Sequence, residues 1–363
     1  MSGQAPFVDC RDPLAPPPGL EGCVVALGNF DGLHRGHLGV IERAKTLATG
    51  LRRPCAVLTF EPHPADFFAG RSVIFRLTPP LAKAALLKRL GLDGMITLTF
   101  DTAFAALAAE SFTGDVLSRR VGASAVVAGY DFRFGKGRRG DAEFLKSEGA
   151  RLGFAVEIVE RIVRDEAGSL DAVSSTATRE ALERGDVRLA RRLLGRPYFV
   201  EGEVVRGAQR GRLLGFPTAN IALDPSNRLR YGVYAVTLER IPQKLTDFCD
   251  ENSLQLPKSG ANSYCSNDSV RAESALEARE TLYWGVASFG KRPTFDDGPP
   301  LLEVFVFDFD GDLYGETVEV AFYEFLRGEE KFASIEALIA QMHADVEAAR
   351  ASLTAELGPK PSA

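Results

Sequence analysis

Two histidines three residues apart, His34 and His37, stand in the string Gly28-Asn29-Phe30-Asp31-Gly32-Leu33-His34-Arg35-Gly36-His37. The apolar run at 23–27 reads as a buried parallel strand and residues 38–47 as the helix that follows. The string is therefore a strand-to-helix turn that opens onto a helix N-terminus, where unpaired N–H groups and the helix dipole attract anions. Gly28, Gly32 and Gly36 let the backbone approach a phosphate, and the two imidazoles can both donate to it. Residues of these types at this spacing indicate a nucleotide site.

The elements that must position the string are read from hydrophobic patterning. Apolar strands near 23–27, 55–60, 95–98, 125–128 and 155–159 alternate with amphipathic helical segments, which predicts an α/β domain with a parallel sheet covered on both faces. Ligands then sit at the carboxyl ends of the strands. Thr59-Phe60-Glu61-Pro62-His63-Pro64 follows the second strand, and Gly129-Tyr130-Asp131-Phe132-Arg133-Phe134-Gly135 follows the fourth. Two short helices, 175–184 and 186–194, lead to the helix stop Gly195-Arg196-Pro197, which marks a domain boundary. Beyond it, residues 198–205, 233–238, 282–287, 302–309 and 317–322 alternate apolar and polar side chains and predict an antiparallel sheet or small closed barrel. A terminal helix starts at Ser334 with Glu336 and runs to about residue 353. The expected layout is an N-terminal extension at 1–22, a first domain at 23–194 and a second at 195–363. Within the second, a Ser-, Asn-, Asp- and Glu-rich stretch at about 241–281 reads as a flexible insertion.

Composition bounds the partners. A chain of 363 residues exceeds the size at which one core keeps growing, which favours two domains. Hydrophobic residues make up 45% and charged ones 25%, and no apolar run approaches the roughly 20 residues that span a bilayer. The first 22 residues hold several prolines and no signal-like apolar segment, so a cytoplasmic location is expected. Five cysteines form an odd set without metal-ligand spacing. A net charge of −6 argues against nucleic acid as a partner, whereas the local basic clusters at 136–139 and 206–212 suit one small polyphosphate.

With its G-N-F-D-G flank, the H-x-G-H string resembles that of the nucleotidyltransferases. The chain from about 22 to 350 resembles the bifunctional riboflavin kinase/FMN adenylyltransferases of bacteria, the FAD synthetase family. The resemblance implies an N-terminal Rossmann-like nucleotidyltransferase domain followed by a riboflavin kinase β-barrel. It implies that riboflavin and ATP give FMN in the barrel, and that FMN and ATP give FAD and pyrophosphate in the first domain, both with Mg²⁺. Carried over residue by residue, His34 and His37 stabilise the transferring phosphoryl group, with Gly28, Phe30, Asp31 and Gly36 around the ATP phosphates. Ser175, Thr176 and Arg179 form a second phosphate-binding string, although the same hydroxyls also suit a helix N-cap. His63, Asp131, Phe132 and Phe134 fall on the flavin side of that domain.

In the second half, Gly207-Ala208-Gln209-Arg210-Gly211-Arg212-Leu213-Leu214-Gly215-Phe216-Pro217-Thr218-Ala219-Asn220 lacks the Walker pattern but is similar to the riboflavin kinase signature. Gly207, Gly211, Arg212 and Gly215 are then the nucleotide-wrapping segment, and Thr218 and Asn220 the Mg²⁺ ligands. Glu303 occupies the position of the base that accepts the hydroxyl proton, with Arg327 and Glu329 on the flavin side. Three features depart from the family pattern: Gly328 where proline is common, Arg206 where histidine is common, and the insertion, which could gate the flavin entrance. Two other readings stay open at this point, namely one surviving activity out of two, or a flavin-binding protein without turnover.

Overall fold

The structure, a computed structural model, describes residues 6–161, 164–165, 168–169, 173–207, 211, 214–241, 282–290 and 300–359. The described residues divide into two compact units, those up to Ser174 and those from Ser175 on.

In the first unit the elements run β1 (Val8–Arg11), β2 (Val24–Leu27), α1 (Arg35–Leu51), β3 (Cys55–Glu61), α2 (Pro64–Ala69), α3 (Pro80–Arg89), β4 (Gly94–Thr99), α4 (Thr102–Ala105) and α5 (Ala109–Ser111). A widened helical segment, Phe112–Arg120, follows, then β5 (Ala125–Gly129), α6 (Ala142–Leu152), β6 (Ala155–Val159) and two two-residue strands, β7 (Arg164–Asp165) and β8 (Gly168–Ser169). Strands β1 to β6 form one parallel sheet in the order β1-β4-β3-β2-β5-β6. β2 and β3 are buried along their whole length, as strands covered on both faces must be, so they read as continuous apolar runs. The chain leaves β2 for β3 on one side and reaches β5 on the other, so a topological switch point lies beyond the carboxyl ends of β2 and β5. Two of the motif loops, after β2 and after β5, meet that crevice.

The expected N-terminal extension contains a strand. β1 pairs in parallel with β4, and Asp12 fastens its end by accepting the Thr99 N–H at 2.8 Å. Four residues with one buried side chain carry too little periodicity to be recognised in sequence.

The second unit opens with α7 (Ser175–Glu183) and α8 (Val187–Leu194), followed by β9 (Tyr198–Val205), β10 (Thr218–Ala222), β11 (Gly232–Ile241), β12 (Tyr283–Gly290), β13 (Leu301–Val306), β14 (Thr317–Arg327) and α9 (Ile335–Leu357). The six strands close into an antiparallel barrel, β10-β13-β12-β11-β14-β9. β10 was expected as part of a nucleotide loop, and closure of the barrel makes it a strand as well. Alternation assigns its neighbour's faces: Leu302, Val304 and Val306 of β13 fill the barrel, while Glu303 and Phe305 lie on the outer face. Ala349 and Leu353 of α9 seal one side by packing with Trp284, Phe307 and Tyr323. The insertion expected at about 241–281 lies, apart from Ile241 itself, outside the described residues. Among those residues no helix is long and apolar enough to cross a membrane.

Candidate functional site

The first site is built on the loop between β2 and α1. His34 is the N-cap of α1, and its Nδ1 accepts the backbone N–H of His37 at 3.3 Å. That bond holds the His34 ring over the first turn of α1, at the helix N-terminus. The rings of His34 and His37 stack with centroids 3.7 Å apart and planes 18° from parallel, and the buried Phe30 ring backs His37 at 5.1 Å. Gly36 is small because a Cβ there would lie 3.1 Å from the His34 ring. The stack therefore presents two imidazoles as one block.

Of the phosphate-side residues, Gly28 ends β2 with its N–H on the Leu58 carbonyl. Asp31, 2% exposed, accepts the backbone N–H groups of Leu77 at 3.0 Å and Thr78 at 2.9 Å, which ties the loop to the segment before α3. Next to it, Lys83 of α3 is buried with Glu61. Burial pulls its ammonium below the usual lysine range, while Glu61 and Asp31 hold it up. Glu61 is also paired with Arg76, which lies 3.8 Å from Asp66.

On the flavin side, His63 caps α2 by accepting the Ala65 N–H at 3.2 Å, directly after the cis Glu61–Pro62 bond. Asp131 is exposed and Phe132 half-buried. Phe134 belongs to the core, 6% exposed and stacked on Phe132 at 5.9 Å. Beside His63, the rings of Phe67, Phe68 and Phe100 meet edge to face at 5.3 to 5.7 Å, with Phe68 72% exposed. Such an aromatic edge suits a planar heterocycle. Ser175, Thr176 and Arg179 lie in the first turns of α7, within the second compact unit.

The second site is a cavity of about 350 Å³ on the outer wall of the barrel. Asn220 of β10 pairs with Glu303 of β13, which pairs with Ser288 of β12, so one row across three strands carries an amide, a carboxylate and a hydroxyl. Thr218, two residues before Asn220, shares its face and sits opposite Phe305. Gly207 lies against the Asn220 amide and Gly211 lines the cavity. Gly215 follows in a left-handed turn, while Arg212 is outside the described residues. The far side of the cavity holds Arg327, Glu329 and Phe332. Arg327 donates Nε and Nη2 to Asp345 at 2.8 and 2.7 Å, a bidentate pair that holds the guanidinium firmly protonated. Glu329 lies against Gly290, where a Cβ would stand 1.9 Å from its Oε1.

Comparison with known proteins follows this division. The family described as FAD synthetase matches residues 17–177, and that described as riboflavin kinase matches 194–353. The bifunctional riboflavin kinase/FMN adenylyltransferase of Haemophilus influenzae is 36% identical over 334 residues, covering 92% of this chain and 94% of that protein. The chain belongs to the bifunctional riboflavin kinase/FMN adenylyltransferase family. Its Escherichia coli K12 member is 35% identical over 91% of this chain and 92% of that one. A crystal structure described as a macrolide-efflux protein from Streptococcus pneumoniae is 31% identical and superposes with a TM-score of 0.73, covering 95% of this chain and 99% of that one.

Within the family match, the FAD synthetase part includes His34, His37, Ser175 and Thr176 and stops before Arg179. The riboflavin kinase part includes Thr218, Asn220, Glu303, Arg327 and Glu329. Sequence reasoning passed over Thr78, Lys83, Arg76, Phe68 and Asp345. One signal was available, since Lys83 shares the apolar face of α3 with Leu86 and Leu87, where a solvated lysine would be out of place.

Proposed function

We propose that this chain phosphorylates riboflavin to FMN in its barrel unit and adenylylates FMN to FAD in its parallel-sheet unit, with ATP as cosubstrate of both. The observation that carries the reading is the cavity wall on which Glu303 stands opposite Asn220, in a chain that also keeps the stacked His34–His37 block at a helix N-terminus.

In the kinase step the flavin ring occupies the apolar part of the cavity, and Arg327 and Glu329 take its polar edges. Glu303 accepts the proton of the ribityl hydroxyl as that oxygen bonds to the γ-phosphorus and the bridging P–O bond to ADP breaks. Thr218 and Asn220 offer a hydroxyl and an amide oxygen on one face, a hard-oxygen pair that suits Mg²⁺ when phosphates and water supply the other ligands. Among the described residues no group of three or more His, Cys, Asp and Glu competes for that ion. Bound there, Mg²⁺ supplies charge neutralisation on the phosphates.

In the adenylyl step an anionic phosphate oxygen of FMN attacks the α-phosphorus and pyrophosphate leaves, so no protein base is required. His34 and His37 set their imidazoles against the transferred phosphate, and the α1 N-terminus supplies its fixed dipole. His63, Asp131 and Phe132 approach the flavin. Phe134 acts through Phe132, on which it stacks. The cytoplasm is the compartment this reading expects.

Incubating the purified chain with riboflavin, ATP and MgCl₂ and separating the flavins by chromatography tests both halves. FAD supports the full reading, FMN alone leaves only the kinase, and unchanged riboflavin refutes it.

A further inference from the structure

The loop that carries the histidine block is held in an unusual backbone path. Phe30 and Leu33, neither of them glycine, have φ of 50° and 45°. Such residues persist only where surrounding contacts over-determine them. One contact set comes from the segment before α3: Asp31 accepts two backbone N–H groups there, and the Gly32 N–H donates to Thr78 Oγ1 at 2.8 Å. The other falls on the carbonyl of Asn29, the residue before the first left-handed position. That oxygen accepts the Thr59 hydroxyl at 2.9 Å and the Lys83 ammonium at 3.0 Å.

Lys83 is an expensive way to hold a carbonyl, since its side chain is 3% exposed in a core where an apolar residue would pack without desolvating a charge. Its other contacts are Thr59 Oγ1 at 3.3 Å and Glu61 Oε1 at 3.5 Å. Three donors thus meet three protein acceptors, and the ammonium is committed to the protein. Glu61 is fixed in turn by Arg76. The ion pair therefore sits beneath the loop, with its neutralising carboxylate supplied by the last residue of β3.

Building on the adenylyltransferase reading, we propose that Lys83 is a positioning residue for that reaction: by gripping the Asn29 carbonyl together with Thr59, it fixes the turn that aims the His34–His37 block at the transferred phosphorus. A merely structural lysine would shift stability and leave the turnover of the folded enzyme alone. A positioning lysine lowers kcat while substrate binding holds, because a displacement of about 1 Å at the reacting groups costs on the order of 10² in rate.

The test uses the full chain with supplied FMN, ATP and MgCl₂, comparing wild type, Lys83→Met, Thr59→Val and the double variant. Lys83→Met is expected to lower the adenylylation kcat roughly 10- to 100-fold with KM values within about threefold, and to leave riboflavin phosphorylation unchanged. The double variant should be no slower than Lys83→Met, because both side chains serve one oxygen. A folded Lys83→Met enzyme within about twofold of the wild-type kcat, or losses that multiply in the double variant, would overturn the proposal. Should Lys83→Met not fold, Thr59→Val decides alone: a kcat drop of about threefold or more at an unchanged melting point supports the grip on Asn29, and an unchanged kcat refutes it. Wild-type protein that made no FAD would instead sink the adenylyltransferase reading itself.

Discussion

Replacing Asp345 with alanine should damage the barrel unit and leave the other unit working. The carboxylate receives Arg327 Nε at 2.8 Å, Arg327 Nη2 at 2.7 Å and Gln341 Nε2 at 2.9 Å. Its side chain is 8% exposed and that of Arg327 18%, so removal leaves a mostly buried guanidinium without its anion. Breaking a buried pair from one side costs roughly 3–5 kcal/mol, and the residual exposure of Arg327 argues for the lower end, about 3 kcal/mol. A unit of this size loses about 2–4 °C per kcal/mol, which gives a fall in Tm of about 6–12 °C. The single tryptophan, Trp284, lies buried in β12, so its fluorescence reports the melting of this unit. Riboflavin KM should rise, since Arg327 lines the cavity, while adenylylation of supplied FMN stays at the wild-type rate. A fall of less than about 2 °C together with unchanged riboflavin kinetics would refute the reasoning.

Four further outcomes are expected. Changing His34 and His37 together to alanine should abolish FAD formation by at least about 10²-fold while FMN still accumulates from riboflavin, as chromatography of the products would show. Glu303→Gln should slow riboflavin phosphorylation roughly 10²–10⁴-fold without touching adenylylation, and a normal rate would make Glu303 a wall residue only. Gly290→Ala drives a Cβ into the place of the Glu329 carboxylate, so riboflavin KM should rise about tenfold, the equivalent of one displaced polar contact, with the Trp284 melt nearly unchanged. Burial pushes the Cys23 and Cys55 thiols from 9.0 up to about 12, so iodoacetamide at pH 8 should label neither until urea is added, as peptide mass mapping would register. Because the folded thiols keep protons that unfolded ones release, their contribution to stability is intact below pH 9 and is lost as the pH rises toward 12.

Much of this architecture was legible because its strands are long or fully buried. β3 and β6 begin where the apolar runs begin, and Ser334 caps α9 as its position before Glu336 suggests. β1 escaped notice because one buried side chain in four residues makes no pattern, and β10 because its residues double as a glycine-rich signature. At the sites, residues that announce chemistry by type were visible: paired histidines, a carboxylate on an apolar strand, a P-T-A-N string. Those that act by holding others were not. Lys83 and Asp345 each lie on helices far along the chain from the partners they fix, Asn29 and Arg327, and no local spacing reveals such a partnership. Asp31 combines both, since its place in the motif puts it on the phosphate side and the fold adds a partnership that no spacing shows, its carboxylate accepting two backbone amides.

The row of Asn220, Glu303 and Ser288 exists only in one alignment of three strands. If β13 slid by one residue, Glu303 would turn into the apolar interior that Leu302 and Val304 now fill. A slide by two would keep every face correct yet carry the carboxylate about 7 Å from the amide, leaving a well-packed barrel without chemistry. An open sheet could tolerate that second error at its edge. In a closed barrel each strand is paired on both sides, so the slip would have to be absorbed by every seam at once. Closure thus acts as an alignment gauge for the row, and loops around the rim can diverge in length without detuning the distance between Glu303 and Asn220.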